Sequence, residues 1–262
     1  MRTKIGCFSL WVAISIYGSV ASAQGTPNMQ VQLNPSPSSA IVLAAATPAL
    51  LPDFPSSVVA QFHPSTFLLT DQDPSGRAIV ALAVQWVYTD NSGHQGEDSL
   101  RSDKYLRQTP NVLLPPSASL LVAPGVFLQK ALALGPHIGS PLQALDGHGS
   151  SWAATASKIT ITVDCVIFED GEVVGPNNSH LDLEIQSRKI AAGKLAKQVR
   201  SVQSAGGDPT PVLKQLAATS SDSDFVILWT SILASRLLNA PVLNTQLAAL
   251  ENMPALPNFF TK

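Results

Sequence analysis

The chain has 262 residues and a mass of 27.6 kDa, with 16 basic against 18 acidic side chains and a formal charge of −2. At 45% hydrophobic and 13% charged residues it is not a disordered composition, and this length buries roughly 70–75% of the unfolded surface. The near-neutral balance lacks the basic footprint of a nucleic-acid binder, and 20 prolines against 6% aromatics point to many turns rather than a helical bundle.

Residues 1–23 read as a secretory signal. Arg2 and Lys4 form a short positive region, a mostly apolar stretch follows over 5–17, and Ala21-Ser22-Ala23 has the small-x-small form of a cleavage site. The stretch is short of the roughly 20 apolar residues that a bilayer span requires. No cysteine follows it at a lipoprotein cleavage position. The mature chain is expected to start at Gln24; loss of Arg2 and Lys4 leaves 14 basic against 18 acidic residues, a charge of −4. Cys7 departs with the signal, so Cys165 has no partner for an intramolecular disulfide, and packing alone must hold the fold. Cys165 itself falls in an alternating apolar pattern and reads as a small buried hydrophobe rather than a reactive thiol.

Residues 24–56 are rich in Pro, Ser and Ala, with an apolar patch over 41–51. Pro27, Pro35, Pro37, Pro48, Pro52 and Pro55 prevent a long regular element, so this stretch reads as an extended arm or linker. Strand signals begin near Ser57, with short β-prone runs at 58–62 and 66–70 separated by His63-Pro64. Asp71 to Gly76 has turn chemistry: acidic side chains, a proline and a glycine. The run 77–89 is the strongest candidate for a central strand. Its even positions Ala78, Val80, Leu82, Val84, Trp86 and Tyr88 are apolar, as are Ile79, Ala81, Ala83 and Val87, so both faces must be covered. Asp90-Asn91-Ser92-Gly93 closes a hairpin. The polar stretch 96–109 reads as an edge or surface loop, 119–122 as a short strand, and another strand is expected from Val126.

Residues 135–151, with four glycines and two prolines, read as a long loop. The run 158–168 alternates Ile159, Ile161, Val163, Cys165 and Ile167 with Lys158, Thr160, Thr162 and Asp164, a period of two. Asp170-Gly171 turns it back into 172–174. The period then lengthens: Leu181, Ile185, Ala192, Leu195, Val199 and Val202 form one helical stripe. Asp182 and Glu184 stand at its start, and Arg188, Lys189, Lys194, Lys197 and Arg200 in its later turns. Gly206-Gly207 ends this helix, Asp208-Pro209 opens a shorter one to about 218, and Asp222 is placed to cap a third, apolar helix over 223–239. Pro241, Pro254 and Pro257 mark a tail.

The stretch Val163-Asp164-Cys165-Val166-Ile167-Phe168-Glu169-Asp170-Gly171-Glu172-Val173-Val174-Gly175-Pro176-Asn177 resembles a segment of exported, uncharacterised bacterial proteins of acidobacterial type. Ser75-Gly76-Arg77-Ala78-Ile79, with Trp86-Val87-Tyr88-Thr89-Asp90 and Gly93, is similar to the same group. The likeness covers 58–178. It implies an immunoglobulin-like β-sandwich and carries no activity or site residues.

Hydrolase signals are absent: Gly147-His148-Gly149-Ser150 echoes a nucleophile elbow but lacks the strand and helix that frame one. His63, His94, His137, His148 and His180 form no metal-binding spacing. Asp146 with His148 offers two ligands where zinc requires three or four. Glu169, Asp170 and Glu172 cluster at the 169–172 hairpin, where acid–base work or calcium binding competes with simple solvation of a turn. Trp86 and Tyr88 read as core rather than groove, and the basic run 188–200 as a solvated helix face rather than a lipid or polymer contact.

These readings converge on a mainly β chain. A signal occupies 1–23, an arm 24–56, an immunoglobulin-like β-sandwich 57–178, and a helical C-terminal segment 179–262. The expected function is a non-enzymatic binding or structural module, secreted or periplasmic, with no catalytic, cofactor or metal residues. Its partner would be a protein or envelope polymer, without nucleic acid and without a membrane span after signal cleavage. The alternative is a secreted hydrolase using the 135–151 loop and the 169–172 carboxylates; a third possibility is self-association through the apolar third helix.

Overall fold

The computed structural model describes residues 29–51, 56–59, 65–105, 112–124, 143–146, 156–219, 221 and 223–261. In chain order these form β1 (Gln30–Leu33), β2 (Ile41–Ala45), a 3-10 turn (Pro48–Leu50), α1 (Ser56–Val59), β3 (Phe67–Asp71), β4 (Ile79–Asp90) and β5 (Gln95–Asp103). There follow β6 (Ser119–Ala123), β7 (Gln143–Asp146), β8 (Ala156–Phe168), β9 (Val173–Val174), α2 (Leu181–Ser204), α3 (Thr210–Ala217), α4 (Phe225–Leu238) and α5 (Leu243–Glu251). Among the described residues helix and strand are about equally represented, 33% and 32%, so the mainly β expectation is corrected to a mixed architecture of two sheets and a helical unit.

The first sheet has the order β1-β8-β4-β5, with β9 also on β8; the second has β2-β3-β6-β7. Pairing is antiparallel except for β1 with β8 and β6 with β7. Leu82, Val84, Trp86 and Tyr88 of β4 and Ile159, Ile161 and Val163 of β8 share one buried cluster with Ile41, Phe67, Leu69, Leu120 and Val122 of the second sheet. The two sheets therefore face each other across a common apolar layer. The opposite face of the first sheet is also covered: Val80, Ala81, Ala83, Cys165 and Ile167 pack with Leu181 and Ile185 of α2. Leu68, Leu121 and Ala123 on the far side of the second sheet are covered by Leu51 and Val59. The expectation of a strand at 58–62 is corrected there, because Val59 lies in α1 and caps that face with its side chain; residues 60–62 lie outside the described set.

The strict alternation expected for 158–168 breaks at Asp164. Ala83 pairs with Cys165 and Val84 with Val163, so Asp164 is the extra residue of a β-bulge. The bulge turns Val166 and Phe168 onto the face already occupied by Val163, and sends Cys165 and Ile167 to the α2 side. Its freed carboxylate grips the chain before α2, accepting from the amides of Asn178 and Ser179 at 2.9 Å each. Gly175 makes this approach possible: at φ +113, a Cβ there would lie 2.4 Å from the Asp164 carbonyl oxygen. Asn177 completes the entry, its Oδ1 accepting from the Leu181 amide and its Nδ2 donating to Asp182.

Parts of the stretch read as an arm are structural: β1 extends the first sheet beside β8, and β2 extends the second beside β3. Within 135–151, residues 143–146 form a strand rather than loop, and 135–142 and 147–151 lie outside the described residues, as does the strand expected from Val126. Beyond Ile185, α2 leaves the sheet and joins α3, α4 and α5 around Ala192, Leu195, Val199, Leu213, Leu233 and Leu247. The cap of α4 is Asp224, accepting from the amides of Val226 and Ile227, two residues on from the expected Asp222. Where only a tail was expected, α5 forms because Leu247 and Leu250 bury one stripe.

After α5 the backbone returns to the β8–β9 hairpin, where Val173 donates to the Phe260 carbonyl at 2.8 Å and Phe260 donates to Gly171 at 3.1 Å. Trp86, fully buried between the sheets with Nε1 donating to the Ser65 carbonyl, is the largest side chain of the shared layer. Trp86→Ala is expected to destabilise by about 3–5 kcal/mol, read as a lower urea midpoint.

Candidate functional site

Two clusters of ionisable side chains stand out among the described residues. The first is built on the turn between β3 and β4. Asp71 ends β3, and its Oδ1 accepts from the Asp73 amide. Asp73 Oδ2 in turn accepts from the backbone and Nε of Arg77 at 3.1 and 2.8 Å. From there Arg77 reaches across 93 and 95 residues of sequence to Asp170, at 2.8 Å, and to Glu172. Its guanidinium lies over the Phe168 ring, 4.4 Å from the centroid, a cation–π contact at the end of β8.

Of the carboxylates predicted at 169–172, Asp170 and Glu172 are thus brought together around a cation. Glu169 Oε1 accepts from the Ala78 amide, and Asp170 Oδ1 from the Glu172 amide. Each has a partner that fixes the hairpin against the start of β4. The hydrogen bonds to Arg77 hold the Asp73 carboxyl below the usual carboxylate range. Asp71 is the exception. Its Oδ2 is buried with no hydrogen-bond partner among the described residues, and burial, reinforced by the charge of Asp73, raises its pKa.

The second cluster sits where β5 meets α2 and α4. The basic run was expected to be a solvated face, and Arg188 corrects that: it is 3% exposed. Its Nη1 donates to Asp103 at 2.8 Å and its Nη2 to Glu184 at 3.2 Å, while Arg101 donates to Glu184 at 2.8 Å. The Trp229 ring lies 4.1 Å beneath the guanidinium. Two cations and two carboxylates balance, so the group is neutral as a whole and each buried charge has an opposite neighbour. Sequence reasoning missed this because Arg188 shares the stripe of Ile185, Ala192 and Leu195, a position that only the acidic partners on β5 and α2 make tolerable. The rest of the run is unlike it: Lys189 donates to the Pro254 carbonyl at 2.7 Å, Arg200 pairs with Glu251 on the surface, and Lys194 and Lys197 are exposed. A shallow groove of about 330 Å³ lies between α2 and α5, lined by Gly193, Ala196, Leu250 and Met253 with Lys189 and Lys197 at its sides.

Trp86 and Tyr88 are fully buried in the core, as expected. So is Cys165, whose thiol is pushed up to about 12 by that burial. Asp146 ends β7, while Gly147, His148, Gly149 and Ser150, with His63 and His137, lie outside the described residues. His94 is exposed beside Asp90 at 3.2 Å, and His180 is exposed at the head of α2. Among the described residues no group of three or more His, Cys, Asp or Glu is placed to hold a metal ion.

No family model, curated protein or solved structure matches this chain.

Arg188→Ala removes the buried cation that Asp103 and Glu184 share and is expected to cost about 3–5 kcal/mol, whereas the half-exposed Arg101→Ala is expected to cost about 1 kcal/mol or less. Urea denaturation of both variants checks the contrast. Asp71 gives a pH test. A raised carboxyl contributes stability that is complete below its unfolded value of about 3.9 and is lost as pH rises through the folded value. The stability of the native chain relative to Asp71→Asn is therefore expected to fall between pH 4 and pH 7. A difference that stays flat or grows over that range contradicts the assignment.

Proposed function

We propose that this chain is an exported, non-enzymatic binding or structural module of the cell envelope or exterior. The observation that carries the reading is the use made of its ionisable groups. Arg77 ties the hairpin acids to the β3–β4 turn, Asp164 anchors the entry to α2, and Arg188 joins strand to helix. Groups spent on holding elements together are not poised for proton transfer, which requires a base within reach of substrate. The export part rests on the signal-like residues 1–23. Among the described residues no helix is long and apolar enough to cross a membrane.

Strand order supports the immunoglobulin-like part of the proposal. The chain crosses from β3 to β4, turns into β5, returns as β6 to pair with β3, and crosses again as β8 to pair with β4. That interlock resembles the Greek-key relation expected of an immunoglobulin-like sandwich, with the parallel β1–β8 and β6–β7 pairs as departures from it. The acidobacterial-type resemblance is consistent with this order and adds no activity. The hydrolase alternative loses one of its two supports, since the hairpin carboxylates that it needs are held by Arg77 and by backbone amides.

The purified 24–262 chain is expected to turn over no ester, peptide or glycoside substrate above background. Turnover abolished by Glu169→Gln or Glu172→Gln would establish the hydrolase instead. The export reading has its own check: mass spectrometry of the chain recovered outside the cytoplasm should place its first residue at Gln24.

A further inference from the structure

The backbone after α5 is held in place as an added strand. Phe260 and the Gly171–Val173 segment exchange two backbone hydrogen bonds, and Phe260 bridges Glu172 in parallel. Leu256 and Phe259 are half-buried against the cluster of Val80, Tyr105, Ile167 and Val173 on the outer face of the first sheet. The acceptor is shaped for this segment. Gly171 has φ +96, and a Cβ there would stand 2.2 Å from the Asn258 carbonyl oxygen and 3.1 Å from Pro257 Cβ. Pro254 and Pro257 restrict the segment to extended conformations, which lowers the ordering cost of laying it on a sheet edge.

What ties this strand to the rest of its own chain is slight by comparison. Asn252 caps α5, Met253 is half-buried against the helical cluster, Asn252 and Pro254 are exposed, and the Pro254 carbonyl is held by the half-buried Lys189. The segment 252–260 carries no charge, and Phe260 keeps 41% of its surface exposed.

We propose that the Gly171–Val173 edge is a strand-acceptor site, and that it takes the 254–260 segment of a second copy of this chain as well as its own. The second copy is the occupant because the site is already fitted, backbone and side chains, to this one sequence. Exchange preserves the contacts of the 254–260 segment and moves the hinge at 252–253, where only Met253 must re-seat against the helical cluster, the condition under which swapped dimers form. This inference stands independently of the export reading and of the non-enzymatic one.

Complementary full-length variants test it. An acceptor carrying Leu256→Ala and Phe259→Ala has a weakened tail and an intact edge; a donor carrying Gly171→Ala has a blocked edge and an intact tail. Light scattering is expected to find each alone as a monomer and an equimolar mixture as a 1:1 complex. The complex should be lost when the donor also carries Phe259→Ala, and should be displaced by a synthetic 252–262 peptide. Folded variants that stay monomeric when mixed, up to about the millimolar effective concentration of a tethered segment, overturn the proposal. Because Gly171→Ala strains the hairpin, the unmodified chain supplies a second readout. Amide exchange at Val173 and Phe260 is expected to run at least 100-fold faster than at the centres of β4 and β8. Equal protection would mean that the tail leaves only on global unfolding, and would overturn the proposal too.

Discussion

Strands β4 over 79–84 and β8 over 163–168 are buried on both faces, and water is excluded from both there. Leaving either face open would expose a row of buried side chains at about 25 cal/mol for each Å². One face is closed by the second sheet around Trp86, Tyr88, Ile159 and Ile161; the other is closed by the first turns of α2 and by the returning tail. Sheet, helix and tail thus have a common cause. It also follows that the span 57–178 is not self-sufficient, since it lacks β1, β2, Leu181 and Ile185, all of which border or cover its sheets.

The helical unit is joined to that arrangement by α2, whose first turns lie on the sheet and whose remainder lies among α3, α4 and α5. Where the two cores meet, apolar contact gives way to the Arg188 group. A buried ion pair is weak evidence for stability in itself, but it is demanding in geometry. Asp103 on β5 and Glu184 on α2 accept the same guanidinium only at one placement of helix against strand. The Arg77 group does the equivalent for the β8–β9 hairpin, fixing it to the turn before β4. Charge here sets register and orientation while hydrocarbon supplies the driving force.

Much of this was legible in the sequence wherever periodicity ran long. The two-faced apolar run of β4, the strand β8 and the stripe of α2 were all visible because ten or more residues repeat one pattern. The short elements were not. Four or five residues of β1 and β2, set among prolines, become strands only because β8 and β3 offer free edges, and α5 is a helix because Leu247 and Leu250 find α2. A bulge at Asp164 leaves no mark in a one-dimensional pattern, since Asp at that position reads equally well as the polar member of an alternation. The hairpin acids could be seen as a cluster. That Arg77 would pair with Asp170 and Glu172 could not, because the pairing spans more than 90 residues. Arg188 was misplaced for the same reason: a basic residue reads as solvated until its buried partners are known.

The central claim is that sheet and helices are one cooperative structure because each face of the first sheet needs its cover. Hydrogen exchange with mass detection at increasing urea tests it most directly, comparing peptides from β8 with peptides from α2. Loss of protection in both at the same urea concentration is the expected result. Helices that open at clearly lower urea, while β4 and β8 stay protected, would contradict it, because the outer face of the sheet would then have survived uncovered.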